Sequence, residues 1–249
     1  MLLANRVAVI YGASGPIGGA VARTFAREGA KVFLAGRTEA KLVPLGEEIR
    51  AAGGGAEAAA VDPYDERAVS DFVDNVVVRA GSIDISFNAI GYADIQQPLM
   101  DITVEDFLQP ITNAMRTQFL TTRAAARHMI ERRSGVILAF GGGGPQTLPG
   151  LGGFKIALDA IEGLRRQWAT ELGRHGIRVV TLKTAGIIES LPDDFPGKAD
   201  IGASFQDAAL LPWTAALADV GNVAAFVASD HARTLTATDV NISCGALME

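Results

Sequence analysis

The stretch VAVIYGASGPIGGAVA, Val7 to Ala22, decides the fold. Its first five residues form an apolar, largely β-branched run, as expected for a strand buried on both faces. Glycines at Gly12, Gly15 and Gly18 then let the backbone turn tightly, and a helical pattern follows. Such a turn brings a helix amino terminus, with its unpaired N–H groups, close to a pyrophosphate. A tight strand-to-helix turn without a ligand has the same glycines. Placement after the first strand of a βαβ unit favours the dinucleotide reading.

The rhythm continues outward. Further strand patterns are Val32–Gly36, Glu57–Val61, Asp84–Asn88, Val136–Phe140, Arg178–Leu182 and Asp239–Ser243. Helical patterns lie between them, at 17–29, 39–53, 66–81, 104–133 and from Phe154 to His175. This alternation predicts a single α/β domain over residues 1–249, a Rossmann-type doubly wound parallel sheet of about seven strands flanked by helices. Two segments break the rhythm: the glycine-rich loop Gly141–Gly153 after the fifth strand, and Gly186–Trp213 after the sixth. Loops at the carboxyl ends of parallel strands are where such sheets bind ligands, so 186–213 is the expected substrate lid.

Composition narrows the function. A net charge of −6 leaves no excess of Lys or Arg to neutralise phosphates, which argues against a nucleic-acid partner. Every apolar run is interrupted before the ~20 residues that span a bilayer, and the amino terminus lacks the pattern of a signal peptide. One cysteine, Cys244, excludes an internal disulfide and suits a reducing compartment. A cytoplasmic protein acting on a small molecule, without membrane or metal, is expected.

The second strand ends in "LAGR". Gly36 stands where an acidic residue would bind the ribose hydroxyls of NAD(H), and Arg37 follows it. A guanidinium clamps a 2′-phosphate, so NADP(H) is expected in preference to NAD(H).

Several motifs together resemble the short-chain dehydrogenase/reductase family from end to end. "YGASGPIG" resembles its Thr-Gly-x-x-x-Gly-x-Gly loop, with Tyr11 in place of Thr and Pro16 in place of the middle glycine. "VDPYD" resembles the segment whose aspartate, here Asp62, contacts adenine. "NAIG" resembles Asn-Asn-Ala-Gly, keeping Asn88 and Gly91, with Ala89 for the second Asn. "ELGRHGIRVVTLKTAG" resembles the entry to the sixth strand, with Ala185 where proline is usual, and "FVASDHARTLTATDVNISCG" resembles the last helix and strand. The resemblance implies cofactor contacts from Gly12, Ser14, Gly15, Ile17, Gly18, Arg37, Asp62, Asn88, Gly91, Gly186 and Ile188. It also implies a homodimer or homotetramer built on the helices 104–133 and 154–175.

That family works with a Ser, a Tyr and a Lys, helped by an Asn, and its Tyr and Lys lie four apart on one helix. Two registers compete in "GGFKIALDAIEGL". One takes Lys155 as the lysine and puts Leu151 at the tyrosine. The other is ungapped, matches "DAIEGL" to the usual "AAVEGL", and places Phe154 at the tyrosine and Leu158 at the lysine. The ungapped register is preferred, and both lack the tyrosine. The serine falls at Gly141 or Gly142, and the asparagine at Ala114 or, after a slip of one, Asn113.

Substitutes are few. Tyr92 follows Gly91 near the expected substrate, and Asn113 and Lys155 lie close by. Each has a plainer role, as an aromatic plug, a helix residue and a solvated or interfacial lysine. Tyr11 and Tyr64 read as structural. Two functions follow: an oxidoreductase with an altered active site, or a non-catalytic NADP(H)-binding protein serving as a cofactor sensor or partner subunit.

Overall fold

The computed structural model describes residues 1–248. Seven parallel strands run β1 Val7–Tyr11, β2 Lys31–Gly36, β3 Gly55–Ala60, β4 Ile85–Asn88, β5 Gly135–Phe140, β6 Ile177–Lys183 and β7 Thr238–Asn241. Their spatial order is β3-β2-β1-β4-β5-β6-β7. The chain winds outward from β1 to β3, then returns to the far side of β1 as β4. Tyr11 consequently lies opposite Ala35 on one side and Asn88 on the other. This reversal opens a crevice at the carboxyl ends of β1 and β4, the place where doubly wound sheets take their ligands.

Alternation along the strands builds two cores. Ala8 and Ile10 join Val21, Phe25 and Val220 under α1 (Pro16–Arg27) and α7 (Leu217–Ala228). Val9 and Tyr11 join Phe72, Val73 and Met129 under α3 (Glu66–Ala80) and α4 (Val104–Arg132). The helix ends follow local chemistry. Asp65 accepts the Arg67 and Ala68 N–H groups before α3, and Gly81 closes that helix at φ 80°. Thr103 accepts the Asp106 N–H before α4.

The helix expected over 39–53 is split. A 3₁₀ turn at Glu39–Lys41 precedes α2, Val43–Ala51, because Pro44 lacks an N–H and is tolerated only in a first helical turn. The fifth helix, α5, spans Gly152–Leu172, with a separate 3₁₀ turn at Gly173–His175. The segment expected as loop over 186–213 contains a further helix, α6, Lys198–Ala208, which buries none of its residues. No helix among the described residues is long and apolar enough to cross a membrane.

Candidate cofactor pocket and active site

The turn after β1 has no room for side chains. Gly12 adopts φ +74°, and a Cβ there would stand 2.4 Å from the Ala89 carbonyl oxygen. A Cβ on Gly18 would stand 2.3 Å from the Gly12 carbonyl oxygen. Backbone therefore packs on backbone, and α1 begins at Gly15 with no side-chain cap on its N–H groups. Tyr11 lies beneath this turn, 1% exposed, its ring edge-on to Phe72 at 6.1 Å. Burial pushes its phenol well above the ordinary tyrosine pKa, and the hydroxyl has no hydrogen-bond partner among the described residues.

A cavity of about 360 Å³ opens at the carboxyl edge of β1. Gly12, Ser14 and Gly15 line it from the first turn, Gly36 and Arg37 from the end of β2, and Gly91 from the end of β4. Tyr64, read from the sequence as structural, lines it too. The remaining expected contacts do not line this cavity. Asp62 is exposed on an adjoining surface, and its carboxylate accepts the Tyr64 N–H at 3.0 Å. Asn88 is buried; its amide donates to Thr121 at 3.0 Å, and its oxygen accepts the Ile90 N–H at 3.1 Å. Ile17 packs against the core beneath α1. Gly186 and Ile188 follow β6 and are covered by α6. The Phe205 ring rests on Gly186, whose Cβ position lies 2.3 Å from Phe Cζ, and Ile188 faces Gly202.

The helix expected to carry chemistry presents an apolar face. Phe154 and Leu158 pack against a cluster of Tyr92, Ala114, Ala139, Ala157 and Ile161. Leu151 precedes the helix at its cap position. Gly141, at φ +87°, faces Leu158, whose Cδ2 is 3.2 Å from the glycine's Cβ position. The next glycines lie directly on α5. A side chain at Gly142 would meet Glu162 Oε1 at 2.5 Å, and one at Gly143 would meet Asp159 Oδ1 at 2.0 Å.

Lys155 points away from that cluster. Its ammonium lies 2.5 Å from Asp159 and donates to the Gly144 carbonyl at 2.6 Å, tying the loop to the helix. Asn113 donates to the Tyr92 carbonyl at 3.0 Å, so it fixes the backbone there. Tyr92 itself is 5% exposed, and its phenol donates to the Phe140 carbonyl at 3.3 Å. Burial pushes its pKa up to about 12, with a hydrogen bond from Gln118 pulling weakly the other way.

Behind the glycines lies a charged layer that no local pattern announces. Glu162 pairs with Arg165, which approaches Asp239 at 3.7 Å, and Asp239 pairs with Lys183 at 2.5 Å. These residues come from α5, β6 and β7. Among the described residues, no three His, Cys, Asp or Glu side chains are grouped as metal ligands.

A family model described as enoyl-(acyl carrier protein) reductase matches residues 12–246. The chain belongs to the short-chain dehydrogenase/reductase family. It is 30% identical to an uncharacterized oxidoreductase of Bacillus subtilis, over 98% of this chain and 92% of that relative. A dehydrogenase/reductase of Sinorhizobium meliloti superposes with a TM-score of 0.88 at 26% identity, covering 99% and 96% of the two chains. A short-chain dehydrogenase of Burkholderia cenocepacia, solved in complex with NADP, gives 0.86 at 25% identity over 99% of both chains.

The residues present suit a dinucleotide. The side-chain-free turn, the uncapped start of α1 and the cavity beside Arg37 together provide close backbone approach, N–H donors and a cation.

Proposed function

We propose that this chain is an NADP(H)-dependent oxidoreductase of short-chain type with an altered active site, passing hydride to or from a small carbonyl or enoyl substrate. The observation that carries this reading is Arg37, exposed and lining the cavity beside the side-chain-free Gly36. When bound, the nicotinamide supplies or takes up the hydride.

The chain's own residues bind and orient. Gly12 and Gly15 accommodate the pyrophosphate, and Arg37 the 2′-phosphate. Gly186 and Ile188 lie on the nicotinamide side, and the segment 186–213 serves as substrate lid. Phe154 and Leu158, in the tyrosine and lysine positions of the preferred register, carry no proton. A positioned acid contributes roughly 10²–10⁴ in rate, so alcohol formation suffers from its loss. Reduction of an activated C=C bond suffers less, because the enolate can take its proton from water. Enoyl substrates therefore fit this site better than ketones.

A second reading is a non-catalytic NADP(H)-binding protein, a cofactor sensor or partner subunit. Two observations favour it: the Tyr92 hydroxyl is committed to a backbone carbonyl, and Lys155 is committed to Asp159. Exposed Val104, Leu108 and Phe119 on α4 and Ile156 on α5 support a homo-oligomer. Titration of NADPH and NADH, followed by nicotinamide fluorescence, tests the premise common to both readings. A turnover screen with enones and ketones then separates them; enone turnover supports the enzyme, and none at all with intact NADPH binding supports the sensor.

A further inference from the structure

The cavity beside β2 gathers three polar side chains that make no side-chain hydrogen bond among the described residues. Ser14 Oγ lies 3.6 Å from the Cβ position of Gly36, on the side where that residue has no side chain. Arg37 is exposed and enters no ion pair among the described residues. Tyr64 is clamped by its backbone and free at its tip. Its N–H donates to Asp62 at 3.0 Å, and its carbonyl accepts from Arg116 at 2.8 Å, whereas its phenol makes no hydrogen bond among the described residues.

The chemistry of these groups points to one kind of ligand atom. A guanidinium and two hydroxyls around a glycine are all hydrogen-bond donors, and among the described residues no carboxylate lines the cavity. A phosphate monoester can accept from all three and pair its charge with the guanidinium, whereas a ribose hydroxyl gains at most a neutral hydrogen bond with either hydroxyl. The phenol keeps its proton at neutral pH. Burial raises its pKa, more than the nearby Arg37 guanidinium lowers it, with Asp62 adding to the rise.

We propose that Tyr64 is a specificity-determining residue for the 2′-phosphate of NADP(H), completing a three-donor cradle with Arg37 and Ser14. This rests on the NADP(H) reading above and adds a residue that comes from the far side of the cavity, after β3. Ring stacking on adenine is the other use of a tyrosine here, and it would serve NADPH and NADH alike.

Tyr64→Phe separates the two, since it keeps the ring and removes the hydroxyl. Dissociation constants for NADPH and NADH are measured by nicotinamide fluorescence in wild type and variant. Displacement by 2′,5′-ADP and by 5′-ADP isolates the adenosine half. The variant should bind NADPH and 2′,5′-ADP about tenfold more weakly, with NADH and 5′-ADP within about twofold of wild type. An unchanged NADPH affinity, or an equal loss for NADH, overturns the role of Tyr64 while leaving the cofactor reading intact. A wild-type protein that binds NADH as tightly as NADPH overturns both.

Discussion

The phenol of Tyr92 donates to the Phe140 carbonyl at 3.3 Å, and the Gln118 amide donates to the same phenol oxygen at 3.4 Å. Both uses of that oxygen are thereby committed within the protein, and Phe154 and Leu158 pack on the same cluster. Tyr92 is a wall of the site, although it is the tyrosine nearest the expected chemistry.

Tyr92→Phe should accordingly cost about 1–3 kcal/mol of stability in urea denaturation, since it removes two neutral hydrogen bonds and leaves the buried Gln118 amide without that partner. Turnover of the best substrate from the enone and ketone screen should stay within about threefold, whereas loss of a working acid removes roughly 10²–10⁴. A hundredfold fall in kcat with an intact fold would make Tyr92 the acid after all.

Alkaline pH tests the same burial from another side. In an unfolded chain the Tyr92 phenol ionises near its ordinary value of 10.0, but in the folded protein only near about 12. Between those values the folded state holds the proton that the unfolded state has released. Stability is therefore fully present below pH 10 and falls as pH rises through this window, by on the order of 2–3 kcal/mol from this group. Buried Tyr11 acts in the same direction. Absorbance at the tyrosinate band should rise cooperatively with loss of the circular-dichroism signal, and Tyr92→Phe should blunt the alkaline destabilisation. Gradual ionisation of all three tyrosines in the folded state, near pH 10, would contradict this.

Replacing Gly142, one of the two expected serine positions, should not restore ordinary catalysis. A Cβ at Gly142 meets Glu162 Oε1 at 2.5 Å and Thr181 Cγ2 at 2.9 Å, and both partners are buried. Gly142→Ser should destabilise by about 1–3 kcal/mol, as overpacking does, with no gain in ketone reduction. Thermal unfolding at the wild-type temperature would show that the loop sits less tightly on α5 than these distances require.

Phe205 seats α6 on the rest of the molecule. The helix buries none of its residues, and its ring lies on Gly186. Phe205→Ala should speed tryptic cleavage at Lys198 while leaving global unfolding within about 0.5 kcal/mol of wild type. Unchanged cleavage would mean that the Lys198 contacts to Leu191 and Asp193 hold the segment by themselves.

Much of this protein is legible along the chain. VAVIY followed by spaced glycines marked the first strand and turn, and the alternation of apolar runs with helical patterns marked the doubly wound sheet. Those features depend on residues a few positions apart, whose periodicity reports burial directly. Boundaries moved by one to three residues at several ends, as at β3, β7 and α5, because helix and strand ends depend on hydrogen bonds to distant segments. Larger departures came at Pro44 and where α6 formed without a buried face to announce it.

Tertiary structure decided which polar groups remain available. Lys155 reads as a candidate until Asp159 and the Gly144 carbonyl are seen to hold it, and Tyr64 reads as structural until it is found beside Arg37. Glu162 and Gly142 lie 20 residues apart, yet one fills the space of the other's missing side chain. Residue type gives a side chain's capacity to donate or accept, whereas the packing of distant segments determines whether that capacity is already spent.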